Sequence, residues 1–155
     1  MSTKPSPIPP GPRLIPNLVV RDGAAALDFY AKAFGAEEIL RLHEPDGRVA
    51  HAELSLFGGH ISVASEYPEL NFLGPTPDRI SHTLTLYVED VEAVAARAVA
   101  AGARLERPIT VEFYGDRSAR LTDPFGHRWN VQSRVEEVSA AEMQRRLDAM
   151  CAQSS

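Results

Sequence analysis

His51 and Glu53 are two positions apart in segment 49–57, where apolar and polar residues alternate. In a strand this spacing places both side chains on one face. A neighbouring imidazole and carboxylate can share acid–base work or ligate a divalent cation. The ordinary alternatives are a solvated carboxylate and a hydrogen-bonded histidine, and the spacing does not decide between them. The opposite, helix-covered face of this strand is predicted to consist of Ala50, Ala52, Leu54 and Leu56.

Two further segments offer polar side chains by the same alternation. In segment 14–20, Leu18 and Val20 are predicted to face the core, which leaves Asn17 on the opposite face. In segment 128–133 the same reasoning leaves Asn130 opposite the core. His82 lies near the start of segment 80–88, whose two faces are not distinguished by their composition. His82 is therefore either a ligand-binding residue or an ordinary hydrogen-bonded histidine.

Arg120 and the neighbouring pair Asp116-Arg117 have two interpretations. They form either a surface salt bridge, which contributes little to stability, or a clamp for a carboxylate or phosphonate. Tyr114 is close enough in sequence to help Arg120 orient such an anion.

The elements that must position these residues occur twice. The pattern Leu18-Val19-Val20-Arg21-Asp22 returns 68 positions later, ending at Asp90, and each copy precedes an Ala-rich helical stretch. Asp22 and Asp90 are predicted N-caps, and each helix ends at a Gly-Ala pair. Two copies are too few for a solenoid, and they favour one pseudo-symmetric domain with a cleft between its halves.

Each copy has the predicted order β-α-β-β-β. Matching turns end in Gly59-His60 and Gly126-His127, so both histidines are expected to have one repeated structural role. The predicted strands span 14–20, 37–43, 49–57 and 60–65 in the first copy, and 80–88, 104–112, 118–122 and 128–133 in the second.

The remaining segments set the domain limits. We expect a disordered Pro-rich tail at 1–12 and one domain at 13–135, with modules 13–65 and 80–135 joined by linker 66–79. Segment 136–155 is predicted to be a C-terminal helix and tail. Ser139 and Glu142 form a capping-box pattern there, and Met143, Leu147 and Met150 form an apolar stripe that needs a covering surface.

Composition excludes several functional classes. A net charge of −5 argues against nonspecific nucleic-acid binding, and no apolar run is long enough to span a membrane. The single cysteine, Cys151, permits neither an intramolecular disulfide nor a cysteine-based zinc site. We therefore expect a cytoplasmic protein with no nucleic-acid or membrane partner.

Several motifs together resemble a known family. They include Leu27-Asp28-Phe29-Tyr30, His51-Ala52-Glu53-Leu54 and Phe113-Tyr114-Gly115-Asp116-Arg117, followed by the turn Asp123-Pro124-Phe125-Gly126-His127-Arg128-Trp129. The chain resembles the vicinal oxygen chelate superfamily, which includes glyoxalase I, bleomycin-resistance proteins, fosfomycin-resistance enzymes and extradiol dioxygenases. It is most similar to the PhnB-like branch. The resemblance covers about residues 14–133.

This resemblance implies an α+β fold in which two tandem βαβββ modules form an open, barrel-like cavity, usually within a homodimer. Metal-dependent members place four ligands in that cavity, one on each of four strands. Those positions fall here at Ile15, Glu53, His82 and Asn130. Ile15 cannot bind a cation and Asn130 is a neutral amide, so only Glu53 and His82 match.

Two ligands are too few for a tight divalent site, although His51 or Asn130 could supply a third. We therefore predict a protein without a metal cofactor that binds a small organic molecule, for sequestration or antibiotic resistance. A partly acidic lining would suit a cationic ligand. The predicted ligand-binding residues are Asn17, His51, Glu53, His82, Tyr114, Arg120 and Asn130.

Two alternatives remain open. One is a divalent-metal-dependent lyase, isomerase or transferase of the glyoxalase type that uses Glu53 and His82, or a metal-free version with Glu53 and a histidine as acid and base. The other is a dimeric scaffold with a vestigial cavity.

Overall fold

Both copies of the β-α-β-β-β pattern fold as predicted in the computed structural model, which describes residues 4–154. Residues 4–12 of the expected tail contain neither helix nor strand, and residues 1–3 lie outside the described part. The helices are α1 Gly23–Phe34, α2 Val91–Ala101 and α3 Ala140–Gln153. The strands of the first module are β1 Asn17–Val20, β2 Glu37–His43, β3 Val49–Leu56 and β4 Gly59–Ser65. Those of the second are β5 Thr83–Tyr87, β6 Arg104–Leu105, β7 Thr110–Val111, β8 Asp116–Thr122 and β9 Arg128–Arg134.

The two module helices begin at the predicted aspartate caps. The Asp22 carboxylate accepts a hydrogen bond from the Ala25 amide at 3.0 Å, and the Asp90 carboxylate accepts one from the Ala93 amide at 3.0 Å. These bonds satisfy amide groups that the first helical turn leaves unpaired. Gly35 ends α1 with a φ of 65°, a left-handed conformation that glycine adopts without strain.

The two sheets have the same strand order, as a duplication requires. In the first sheet the order is β1-β4-β3-β2, with β1 parallel to β4. In the second it is β5-β9-β8-β6, with β5 parallel to β9 and β7 also paired to β8. The predicted single strand 104–112 was wrong. Pro108, which has no amide donor, separates the two short strands β6 and β7.

Three predicted strand limits also differ from the structure. The strand predicted at 14–20 begins at Asn17, directly after Pro16, and Leu14 is 88% exposed. The strand predicted at 80–88 is confined to β5 and excludes His82. The strand predicted at 49–57 ends at Leu56, because Phe57 has a φ of 47° and turns the chain into β4.

The predicted inner face of β3 was wrong at one position. Ala52, Leu54 and Leu56 are buried as expected, but Ala50 is exposed and Val49 is buried in its place. The pairing with β2 is irregular at this end, where the register shifts between Leu42 and His43. Such an irregularity moves the side chains beyond it to the other face.

The modules meet through their helices. α1 packs against α2, and no strand of one sheet contacts a strand of the other within the described residues. Tyr30 of α1 lies against Trp129 of the second module, with ring centroids 5.6 Å apart. The Tyr30 hydroxyl also donates a 2.6 Å hydrogen bond to the buried Asp123 carboxylate. The helices therefore cover the inner face of each sheet and leave its outer face free.

The C-terminal helix α3 is attached mainly through its polar side. The Ser139 hydroxyl accepts a hydrogen bond from the Glu142 amide at 3.2 Å, which confirms one half of the predicted capping box. The Glu142 carboxylate accepts from Arg145 and Arg146 and not from the Ser139 amide. Arg146 binds the Phe113 carbonyl at 3.1 Å and also pairs with Glu136. The predicted apolar stripe remains largely uncovered, with Met150 49% exposed. Within residues 4–154, no helix has the length and apolar character needed to cross a membrane.

Candidate ligand site on the outer sheet faces

Glu53 is held between two histidines on the outer face of the first sheet. Its Oε1 lies 3.1 Å from His51 Nε2, as expected from their spacing on β3. Its Oε2 lies 3.3 Å from His60 Nε2 on β4, at ion-pair distance but without hydrogen-bond alignment. The contact with His60 was missed, although Gly59-His60 directly follows the β3–β4 turn. Both oxygens of the carboxylate therefore already have nitrogen neighbours.

These histidines set the protonation of Glu53. The hydrogen bond from His51 is the largest influence and lowers the pKa of the Glu53 carboxyl below its usual value, and the attraction of both histidines adds to this despite partial desolvation. The pKa of Glu53 is lower in the folded state than in the unfolded state. Its ionised form therefore stabilises the fold at pH values above the unfolded-state pKa, and this stabilisation is lost as the pH falls through the folded-state pKa.

We predict that the Glu53 carboxyl titrates at a lower pH than an ordinary glutamate. In the wild type, the ¹³C carboxyl signal of Glu53 should titrate below pH 4.5, the ordinary glutamate value. In His51→Asn, which removes the larger influence, the midpoint should rise towards that value. His43→Asn, an exposed residue beyond this cluster, serves as the control and should leave the midpoint unchanged. An unchanged Glu53 midpoint in His51→Asn would contradict the assignment.

Asn17 and His82 meet in a cavity between the two modules. Asn17 Oδ1 accepts a 3.0 Å hydrogen bond from the Ser62 hydroxyl, and Ser62 is the strand neighbour of Glu53. The cavity has a volume of about 270 Å³ and is lined by both modules and by the linker. The His82 ring lies 5.8 Å from that of His127. Asn17 thus connects this cavity to the Glu53 cluster.

His60 and His127 were predicted to share one structural role, and this was wrong. The His127 Nε2 lies 2.9 Å from the Val19 carbonyl oxygen and so joins the second module to β1. His60 instead neighbours Glu53 on the outer face. The turns match in sequence, but the strands beside them carry different side chains.

The four positions that the family resemblance assigns to metal ligands do not fit a cation here. Glu53 contacts His51 and His60, whereas His82 contacts Ser81 and His127, and no contact joins Glu53 to His82. Asn130 belongs to the second sheet. Across residues 4–154, no group of three or more His, Cys, Asp or Glu side chains is arranged to hold a metal ion.

Arg120 and Asn130 are direct neighbours on the outer face of the second sheet. They are paired in register on β8 and β9, and Asn130 is paired in turn with Thr85 on β5. The alternate residues Ala119, Leu121, Trp129 and Val131 are buried beneath the helices, and for Trp129 and Val131 this agrees with the alternation in segment 128–133.

Tyr114 belongs to a hydrogen-bond network at one end of this face. Its hydroxyl donates to Gln132 Oε1 at 3.0 Å, and Gln132 donates to Asp116 at 3.2 Å. Tyr87 donates to the same Asp116 oxygen at 2.7 Å, and this bond raises the pKa of the Tyr87 hydroxyl. Sequence reasoning missed Asp116 as a buried acceptor, because it was considered only as part of a surface salt bridge or of an anion clamp with Arg117 and Arg120. Arg117 in fact pairs with Glu92.

The predicted site residues therefore form two groups. Asn17, His51 and Glu53 share the outer face of the first sheet, and His82 lies at its edge. Arg120 and Asn130 share the outer face of the second sheet, with Tyr114 beside them. No described contact joins one group to the other within the chain.

Comparison with known proteins agrees with this architecture. Residues 15–131 match the model of the Glyoxalase/Bleomycin resistance protein/Dioxygenase superfamily. The uncharacterized protein Mb0911c of Mycobacterium bovis is 39% identical over 141 residues, which cover 86% of this chain and 90% of that protein.

Two crystal structures extend the comparison. A gene product of Arabidopsis thaliana is 31% identical with a TM-score of 0.63, covering 78% of this chain and 98% of the other. A glyoxalase/bleomycin resistance protein/dioxygenase family enzyme from Burkholderia phytofirmans is 26% identical with a TM-score of 0.64, covering 77% and 95%. The duplicated βαβββ modules and these matches together show that the chain belongs to the glyoxalase/bleomycin resistance protein/dioxygenase superfamily.

Proposed function

We propose that this protein binds a small organic molecule on the outer faces of its sheets and sequesters it without a catalytic metal. The observation that supports this most directly is the placement of polar side chains on two faces that the helices leave free. Binding pockets typically combine such polar groups with apolar surface. Here Leu40 and Leu42 provide exposed apolar surface beside Glu53 and His51, their strand neighbours on β2 and β3.

We further propose that the working form is a homodimer. Leu40, Leu42, Phe57 and Tyr87 are large apolar side chains that remain exposed in the isolated chain. Leu40 and Leu42 lie together on β2, and Phe57 and Tyr87 line one groove. Exposed apolar patches are typical of interaction sites. If the first sheet of one copy faces the second sheet of another, the two groups of predicted residues would line one shared cavity. The molar mass in solution, measured by light scattering, should then be twice that of the chain.

Binding is favoured over catalysis because Glu53 is poorly suited to act as a general base. Both of its oxygens are next to imidazoles, and the influence of His51 lowers its pKa, whereas a base needs a pKa near the working pH. The metal-dependent alternative would need Glu53 and His82 to act on one ion, and they have separate partners.

Ligand binding should appear as thermal stabilisation, which is our second prediction. A ligand at 100 times its dissociation constant adds about 2.7 kcal/mol to the free energy of unfolding. A library of antibiotics and metabolites should therefore contain compounds that raise the Tm of the wild type. The same compounds should stabilise Arg145→Gln, a matched surface variant on α3, and should stabilise Glu53→Gln less.

Two results would contradict the proposal. One is the absence of any stabilising compound across a broad library. The other is near-stoichiometric Zn, Ni, Mn or Fe in protein purified without chelator, measured by elemental analysis, because the binding-only function assumes no resident metal.

A further inference from the structure

The outer face of the second sheet carries three parallel rows of side chains. Each row takes one residue from each of β5, β9 and β8, in register. The rows are Thr83-Arg128-Thr122, Thr85-Asn130-Arg120 and Tyr87-Gln132-Ser118. Because neighbouring strands lie about 4.8 Å apart, each row is a compact line of polar groups.

The two flanking rows are largely satisfied within the chain. Arg128 donates to Glu106 at 3.1 Å, and Thr122 also donates to Glu106. In the other flanking row, Tyr87 and Gln132 donate to Asp116, as described above, and Ser118 donates to Glu112 at 2.7 Å. Each flanking row therefore ends on a carboxylate that belongs to the protein.

The middle row has no such acceptor. Arg120 Nε is shielded from water and has no hydrogen-bond partner within residues 4–154. Arg107, Arg128 and Arg134 each pair with a carboxylate, but Arg120 takes part in none of the ion pairs of the described residues. Thr85 and Asn130 likewise make no side-chain hydrogen bond there. An unpaired guanidinium with a buried nitrogen is costly, so this row is suited to receiving an acceptor from outside the chain.

The nearby protein carboxylates are already engaged. Burial raises the pKa of Glu106, but the hydrogen bonds from Thr122 and Arg128, together with the charges of Arg128 and Arg120, outweigh it and lower that pKa. Glu53, which a second copy would bring to this face, has a histidine beside each oxygen. A carboxylate from the protein is therefore not the expected partner of Arg120.

We propose that Arg120, Asn130 and Thr85 together bind the carboxylate of an organic acid. This deepens the proposed function and rests on it. A guanidinium can bind a planar carboxylate through two parallel hydrogen bonds, and the amide and hydroxyl beside it can donate to the same group. One unpaired cation matches one negative charge, which favours a carboxylate over a dianionic phosphonate. The carboxylate assignment also replaces the cationic ligand that we expected from the partly acidic lining in the sequence.

Binding of small aromatic probes tests this assignment. We expect benzoate to shift the Nε–Hε NMR signal of Arg120 saturably in the full-length protein, with benzamide, phenylphosphonate and benzylamine binding at least about tenfold more weakly. Arg120→Gln should weaken benzoate binding about 10- to 100-fold. Asn130→Ala should weaken it less. Arg134→Gln removes a charge from the same face and should bind benzoate as the wild type does.

The possible outcomes separate this assignment from the proposed function. Equal binding of benzoate and benzamide, or undiminished benzoate binding by folded Arg120→Gln, would overturn the carboxylate assignment while leaving a binding protein. Tighter binding of phenylphosphonate than of benzoate would show that the site binds a dianion, and tighter binding of benzylamine would show that it binds a cation. Either result would overturn the carboxylate assignment. If no probe binds and no library compound raises the Tm, both proposals fail. Because Arg120→Gln removes an unpaired cation, the Tm of this variant should not fall below that of the wild type. If the Tm does fall, the loss of benzoate binding in Asn130→Ala provides a second test.

Discussion

Replacing Asp123 with alanine is expected to destabilise the protein by about 3–5 kcal/mol. The buried carboxylate accepts hydrogen bonds from the Tyr30 hydroxyl at 2.6 Å and from Trp129 Nε1 at 3.0 Å. It also accepts bonds from the Phe125 and His127 amides at 2.9 and 3.0 Å. Alanine would leave all four donors without this buried acceptor, at a cost of about 1 kcal/mol each, the lower end of the range for an unsatisfied buried group.

The loss should be measured by guanidinium denaturation. Trp129 is the only tryptophan, so its fluorescence reports on this network directly. Asp90→Ala is the matched control, because Asp90 is an exposed helix cap whose removal should cost only about 1 kcal/mol. Tyr30→Phe, which removes one donor and keeps the ring packing, should fall between the two. A loss for Asp123→Ala no larger than that of the control would show that the network does not join the modules.

The duplicated architecture was predictable because its signals are local. N-cap aspartates, a Gly-Ala helix end and alternating strands each depend on a few neighbouring residues. The errors in strand limits have equally local causes. Pro16 and Pro108 interrupt strands that hydrophobicity alone would continue, and a register shift opposite Val49 changes which side chain is buried.

The site was predictable only within single strands. Alternation placed His51 beside Glu53, and it correctly set Asn130 opposite the core. Contacts between strands depend on register, which the sequence does not reveal. For this reason His60 was missed beside Glu53, and the role of Asp116 as acceptor for Tyr87 and Gln132 was missed as well. The identity of the unpaired residue, Arg120, emerges only once every neighbouring hydrogen bond is known.

Gly115→Ala is expected to destabilise the protein by about 2–4 kcal/mol, as the sum of two costs. Gly115 has a φ of 94°, a conformation that costs alanine about 1–2 kcal/mol. An added Cβ would also overlap the Glu136 carbonyl oxygen and lie 2.9 Å from Val138 Cγ2. The Gly115 carbonyl accepts the Val135 and Glu136 amides, so the clash displaces the segment that leads into α3.

Gly47→Ala isolates the first cost, the conformational one. Gly47 has almost the same φ, 91°, but an added Cβ there meets no atom within 4 Å. This variant should lose only the conformational cost of about 1–2 kcal/mol, and the difference between the two variants then measures the steric clash alone. Because Gly115 follows Tyr114, Gly115→Ala should also disturb the Tyr114–Gln132 hydrogen bond at the edge of the proposed carboxylate site. Equal unfolding free energies for the two variants, measured by urea denaturation, would show that segment 135–138 yields freely and does not hold that edge in place.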